Sequence, residues 1–128
     1  MEAEFLTNEL AKKFSKLTKI EVPAQIPPRD EIDDYCARLY FDGIKIDSSS
    51  LKHSYKFRLR YYAPDWKESN TGIDDAENYI RSGKPEIFTD GENKFYVRYF
   101  DIDTIYHHMY TASGVMHCYT EVAFSVIF

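Results

Sequence analysis

The chain has 128 residues and a net charge of −5, with 11 Tyr, 9 Phe and a single Trp. That length predicts one domain with a real core, and the Tyr and Phe content favours half-buried strands over an all-helical fold. The acidic balance argues against a general nucleic-acid binder, which is ordinarily basic, while leaving room for a local basic patch.

Residues 2–18 carry a helical period. Leu6, Leu10, Phe14 and Leu17 recur at spacings of four, four and three, joined by Ala11. Early Glu2, Glu4 and Glu9 and late Lys12, Lys13, Lys16 and Lys19 complement the helix dipole. Val22 to Pro28 contains three prolines and reads as an extended connector. An acidic turn, Arg29 to Asp34, follows. Tyr35 to Asp42 reads as a strand, Asp42-Gly43 as a turn, Ile44 to Asp47 as a short strand and Ser48 to Ser50 as a loop.

Leu51 to Tyr62 is the most telling stretch. Leu51, His53, Tyr55, Phe57, Leu59 and Tyr61 share one face of a strand, and Lys52, Ser54, Lys56, Arg58, Arg60 and Tyr62 share the other. One side is apolar and the other cationic, so the strand belongs to a sheet with one side on a core. Ala63 to Gly72 reads as a polar excursion carrying Trp66. A second helix is expected over 73–82, with Ile73, Ala76, Tyr79 and Ile80 as its apolar stripe and Gly83 as its stop. Glu86 to Thr89 reads as a short extended piece, Asp90-Gly91 as a turn, and Lys94 to Phe100 as a strand. Asp101 and Asp103 interrupt before a strand from Thr104 to Thr111. Ala112-Ser113-Gly114 is a turn, and Val115 to Phe128 is a closing strand tied into the sheet. Helix, strands, helix, strands predicts an α+β fold: an antiparallel sheet sandwich with two helices packed on one face, in a single domain over 1–128.

Cys36 and Cys118 are far apart in sequence and read as buried thiols of a reducing compartment. The acidic opening is no secretory signal, and no apolar run approaches the ~20 residues of a membrane span. The expectation is a soluble protein that begins in a cytoplasm.

The chain carries no nucleophile elbow, phosphate loop or metal-ligand spacing. His107 and His108 point to opposite faces of a strand, and His117 and Cys118 do the same, so neither pair forms a ready metal site or catalytic dyad. Asp101 and Asp103 share a face if extended, yet Asp-x-Asp between strands more often bonds its own backbone. The cationic face of Lys52, Lys56, Arg58 and Arg60 is either a solvated surface or a protein contact. Its natural complement is an acidic patch such as Asp30, Glu31, Asp33 and Asp34 of a neighbouring copy. Trp66 is either folded back on the core or an interface anchor. Nucleic-acid binding is disfavoured, because basic and aromatic residues are not interleaved on that strand face.

The order of elements resembles the tail terminator proteins of long-tailed bacteriophages, the lambda type and its relatives. Arg38-Leu-Tyr-Phe-Asp-Gly43 looks like their first strand and turn, Leu51 to Pro64 like their long strand, Asp74 to Arg81 like their second helix, and Tyr119 to Phe128 like their closing strand. The resemblance is one of pattern and covers most of the chain. It implies a structural, non-enzymatic virion protein of the neck, without cofactor or metal, made in the host cytoplasm. Such proteins form a homo-oligomeric ring, usually a hexamer, that caps the tail tube and meets a head-completion or connector protein, with DNA passing through unbound. Alternatives are another neck or tail tube protein, a small-molecule binding module and, last, a hydrolase or metal-dependent enzyme using the histidines and aspartates.

Overall fold

In the computed structural model, residues 2–24, 36–47, 52–89 and 91–128 are described. The acidic turn expected at 29–34, the 48–50 loop and Asp90 lie outside them. Helix α1 spans Glu2–Thr18, as its periodicity predicts. It buries Leu6, Leu10 and Phe14 completely and ends where Lys19 turns left-handed at φ 63°. There the Thr18 hydroxyl donates to the Phe14 carbonyl at 2.8 Å, occupying one of the carbonyls that a helix end leaves open.

Strand β1 runs unbroken over Cys36–Asp47. The expected turn at Asp42-Gly43 is instead a β-bulge between Phe41 and Gly43, whose φ of 116° suits a residue without a β-carbon. Strand β2 covers Lys52–Ala63. Helix α2 is longer than predicted, Trp66–Ser82, so most of the expected polar excursion is helical. Ser, Asn, Thr and Gly at 69–72 are weak helix formers, but tertiary contacts override propensity there. The buried Ser69 hydroxyl lies 2.6 Å from that of Thr120, and Gly72 lets the Tyr61 ring lie against the helix backbone. Asp65 caps α2 by accepting from Glu68 N at 2.8 Å, and Gly83, at φ 61°, closes it.

A small hairpin follows, β3 (Glu86–Thr89) with β4 (Lys94–Val97). Strand β5, Tyr99–Ala112, is continuous through Asp101 and Asp103, contrary to the interruption expected there; a bulge between Ile102 and Thr104 absorbs the extra residue. The predicted strand over 94–100 breaks at Arg98, where the buried alternation of Phe95 and Val97 shifts phase to Phe100. Strand β6 is Val115–Ile127. The turn before it, Ser113-Gly114, has φ of 52° and 76°, the positive pair that a two-residue hairpin matched to strand twist requires.

The main sheet has the antiparallel order β1-β2-β6-β5, and both helices pack on one of its faces, giving the α+β architecture expected. Phe57 stacks on Phe124 at 5.6 Å, and Phe14 of α1 meets Phe124 edge-on at 5.8 Å. One apolar cluster joins α1, α2 and all six strands. Burying each large side chain there is worth about 1.5–3 kcal/mol. The opposite face, called outer below, carries no second layer of the described residues.

Candidate functional site

The outer face is built by strand alternation. Arg58, Arg60 and Tyr62 of β2 stand beside Arg38 and Tyr40 of β1 on one flank and Tyr119 and Glu121 of β6 on the other; Tyr106, His108 and Tyr110 of β5 lie beyond. Register places Arg60 against Glu121 and against Arg38. The closing strand thus delivers one carboxylate into the middle of the arginines.

Glu121 is buried and gathers three donors. Arg60 Nε donates to its Oε1 at 2.7 Å, the Tyr40 hydroxyl to the same oxygen at 2.9 Å, and Arg58 Nη1 to Oε2 at 3.2 Å. Arg58 Nε also donates to Asp42 Oδ2 at 3.0 Å, and Arg60 Nη1 to the Tyr62 hydroxyl at 3.1 Å. The Arg60 guanidinium lies over the Tyr119 ring, 4.3 Å from its centroid. Burial opposes the charge on Arg60, yet its bonds to Tyr62 and Glu121 outweigh that and raise its pKa. Burial, then the charge and hydrogen bond of Glu121, raises Tyr40. Burial likewise pushes Tyr119 up to about 12, against the pull of Arg60.

The face that looked freely cationic is therefore corrected in one respect. Two of its four cations, Arg58 and Arg60, are neutralised from within the chain, and Arg60 is buried. Lys56 remains half-buried, and Lys52 opens β2 in register with Asp47. Asp30, Glu31, Asp33 and Asp34, their suggested complement, lie outside the described residues. The Nε of Arg38 is buried and has no hydrogen-bond partner among the described residues.

Beside this network runs a ladder of rings. Tyr106, His108, Tyr110 and His117 stack in sequence at 6.2, 5.8 and 5.9 Å, with Tyr119 5.3 Å from His108. Basic and aromatic groups do share one face once neighbouring strands are counted, which the reading of β2 alone missed. Tyr62, Tyr110 and Tyr119 are nevertheless buried, so few ring faces are open to a stacked base. A shallow groove of about 270 Å3 lies between the network and Tyr106, lined also by Thr104 and Ala123.

The other candidates separate. His107 lies on the helix side, its Nε2 2.8 Å from Asn70 Oδ1, and His108 on the outer side, as alternation predicts. Cys36 is on the outer face and buried Cys118 on the helix side, where burial raises its thiol pKa. Asp103 sits at the β5 bulge and accepts from the Ser125 hydroxyl at 2.9 Å, so it belongs to a strand and not to a turn. Among the described residues no group of three or more His, Cys, Asp or Glu is placed to hold a metal ion. None of the described helices is long and apolar enough to cross a membrane. Trp66 opens α2 instead of sitting in a loop. It is exposed, its ring edge-on to His107 at 5.3 Å.

Sequence reasoning missed Glu121 and Tyr40. The available signal was a lone charge amid the apolar run of the closing strand, Tyr119-Thr-Glu-Val-Ala-Phe. A buried charge there needs partners, and the arginines of the cationic strand face are donors that the sequence offers. No protein-family model matches the chain, and no curated protein matches it.

Proposed function

We propose that the protein is a structural virion component of the phage neck, a tail terminator whose copies form a hexameric ring capping the tail tube and meeting the head connector. The observation that carries this reading is the outer sheet face. Exposed Tyr106 and half-buried Arg58 and His108 present it to solvent beside the buried Tyr and Arg of the Glu121 network, without a second layer of the described residues. Tyr and Arg are the residues enriched where proteins bind proteins. A network settled before contact leaves little side-chain entropy to be lost on docking.

The succession α1, β1–β2 hairpin, α2, β3–β4 hairpin, β5–β6 hairpin is compatible with the reading, since, apart from the small β3–β4 addition, the order on which the resemblance rests is kept. In the ring the face that carries Lys56 and Arg58 contacts protein, and acidic surface lies nearer the lumen, where it does not hold DNA phosphates. Sedimentation velocity with negative-stain electron microscopy tests this: closed rings, most simply six-fold, are expected. A strictly monomeric protein at high concentration overturns the reading, as does a ring whose open channel is lined by Arg58 and Lys56.

A further inference from the structure

The edge of a β-sheet is a row of backbone N–H and C=O groups, and the main sheet has two such edges. Along β1 the edge is engaged at Leu39, whose N–H donates to the Pro23 carbonyl at 3.4 Å while Ala24 bridges to it in parallel. Along β5 no further strand follows. Among the described residues β6 is its one neighbour in the sheet, so alternate residues turn their backbone groups outwards. Pairing of β2 with β6 stops at Ser54–Ile127 at one end and at Ala63–Cys118 at the other. The β1–β2 hairpin therefore overhangs the sheet at one corner, and the β5–β6 hairpin overhangs it at the diagonally opposite one.

The devices that discourage pairing at an edge sit at one end of β5. Asp101, Asp103 and the bulge between Ile102 and Thr104 blunt its start. From Thr104 to Ala112 the sequence Thr-Ile-Tyr-His-His-Met-Tyr-Thr-Ala holds no Lys, Arg, Asp, Glu or Pro, and its register with β6 does not shift. Tyr106 on the outer face and Met109 on the helix side both stand exposed along it. A long, regular, uncharged edge is a template for another strand.

We infer that β5 of one copy pairs antiparallel with β5 of a second copy across a two-fold axis at His108, joining two four-stranded sheets into one of eight strands. What an identical chain can offer decides the occupant. The β1 edge is engaged at Leu39, and β3 and β4 have four residues each, so the long edge a second copy brings is β5 itself. The pattern is also self-complementary. An axis at His108 lays the whole uncharged stretch on its own copy, Thr104 against Ala112, Ile105 against Thr111, Tyr106 against Tyr110 and His107 against Met109. Each pair shares a face, so the outer side of one sheet continues as the outer side of the other. Asp101 and Asp103 fall beyond Ala112 of the second copy, whereas parallel pairing would set like charges side by side. A two-fold contact joins copies in pairs, while a ring repeats a contact between unlike surfaces. The pairing thus goes beyond the ring reading and does not rest on it.

The test uses the full chain with three single variants outside the core, Met109→Lys, His108→Cys and Thr104→Cys, each checked for wild-type circular dichroism. Wild type is expected to dimerise in sedimentation equilibrium, with alternate backbone amides between residues 104 and 112 exchanging more slowly in the dimer than on dilution. Met109→Lys, which puts a charge on the edge, should weaken the dimer about thirty-fold, the scale of an interface hot spot. Opposed strand residues lie about 4.5–5.5 Å apart between Cα atoms, within disulfide reach. Under mild oxidation His108→Cys should therefore cross-link to its own copy. Thr104→Cys should cross-link no more than wild type, since its two copies stand eight positions apart, about 26 Å at ~3.3 Å per residue. Cross-linking of Thr104→Cys as strong as that of His108→Cys, or a dimer whose β5 amides exchange as in the monomer, overturns the pairing and leaves the ring reading standing. Dimers that never grow into rings sink the ring reading alone. A wild-type chain that stays monomeric sinks both and leaves the edge to a strand of another protein.

Discussion

Glu121 is the residue on which the outer face depends. Removing it takes the Nε partner from buried Arg60 and a second partner from Arg58. Glu121→Ala should cost about 3–5 kcal/mol, the usual penalty for breaking a buried ion pair by removing one partner. Replacing the pair together, Glu121→Leu with Arg60→Met, should recover most of that loss, because the desolvation cost disappears with the charges. Chemical denaturation of both variants checks the pair, and equal destabilisation would count against the network. Gly72 makes a second residue-scale case. In an open helix Gly→Ala gains about 1 kcal/mol, but a β-carbon here would run into the Tyr61 ring. Overpacking costs about 1–3 kcal/mol, so Gly72→Ala should lower the melting temperature. Tyr119 adds a pH dependence. Its pKa is raised to about 12 in the fold from the ordinary 10.0. The folded state then holds a proton that the unfolded chain gives up, so this contribution is complete below pH 10.0 and drains away as pH climbs to about 12. Absorbance titration at 295 nm should show a late-titrating tyrosine that reverts towards the bulk on unfolding.

At the scale of elements, caps and bulges decide where each piece begins and stops. Asp65→Ala removes the acceptor for Glu68 N and should cost about 0.5–2 kcal/mol, measurable as a melting shift. Much of this layout was legible. The Leu6-Leu10-Phe14 period gave α1 its bounds, the alternation of 51–62 named both faces of β2, and Gly83 marked the end of α2. Three features escaped a linear reading, each for a local reason. Weak helix formers at 69–72 hid the first turns of α2, since what holds them is the contact of Ser69 with Thr120 from a strand about fifty positions away. Asp42-Gly43 and Asp101 to Asp103 looked like breaks, yet a bulge admits an extra residue without ending the strand. The candidate site was half visible: its arginines stood out on one strand, but their neutralisation required knowing that β6 lies beside β2.

For the whole molecule, the chain is a slab with a helix-covered side and an outer side of its own chemistry. If that outer side meets protein, Tyr106 reports it. The residue is 47% exposed in the single chain, so radical footprinting should label it strongly in dilute protein and weakly in assembled particles. Unchanged labelling would place the contact elsewhere. The diagonal overhang of the two hairpins has a geometric consequence. Its outline is that of a skewed tile and not of a rectangle, and tiles of that outline laid end on end lean in a constant direction. Any closed course of them is handed.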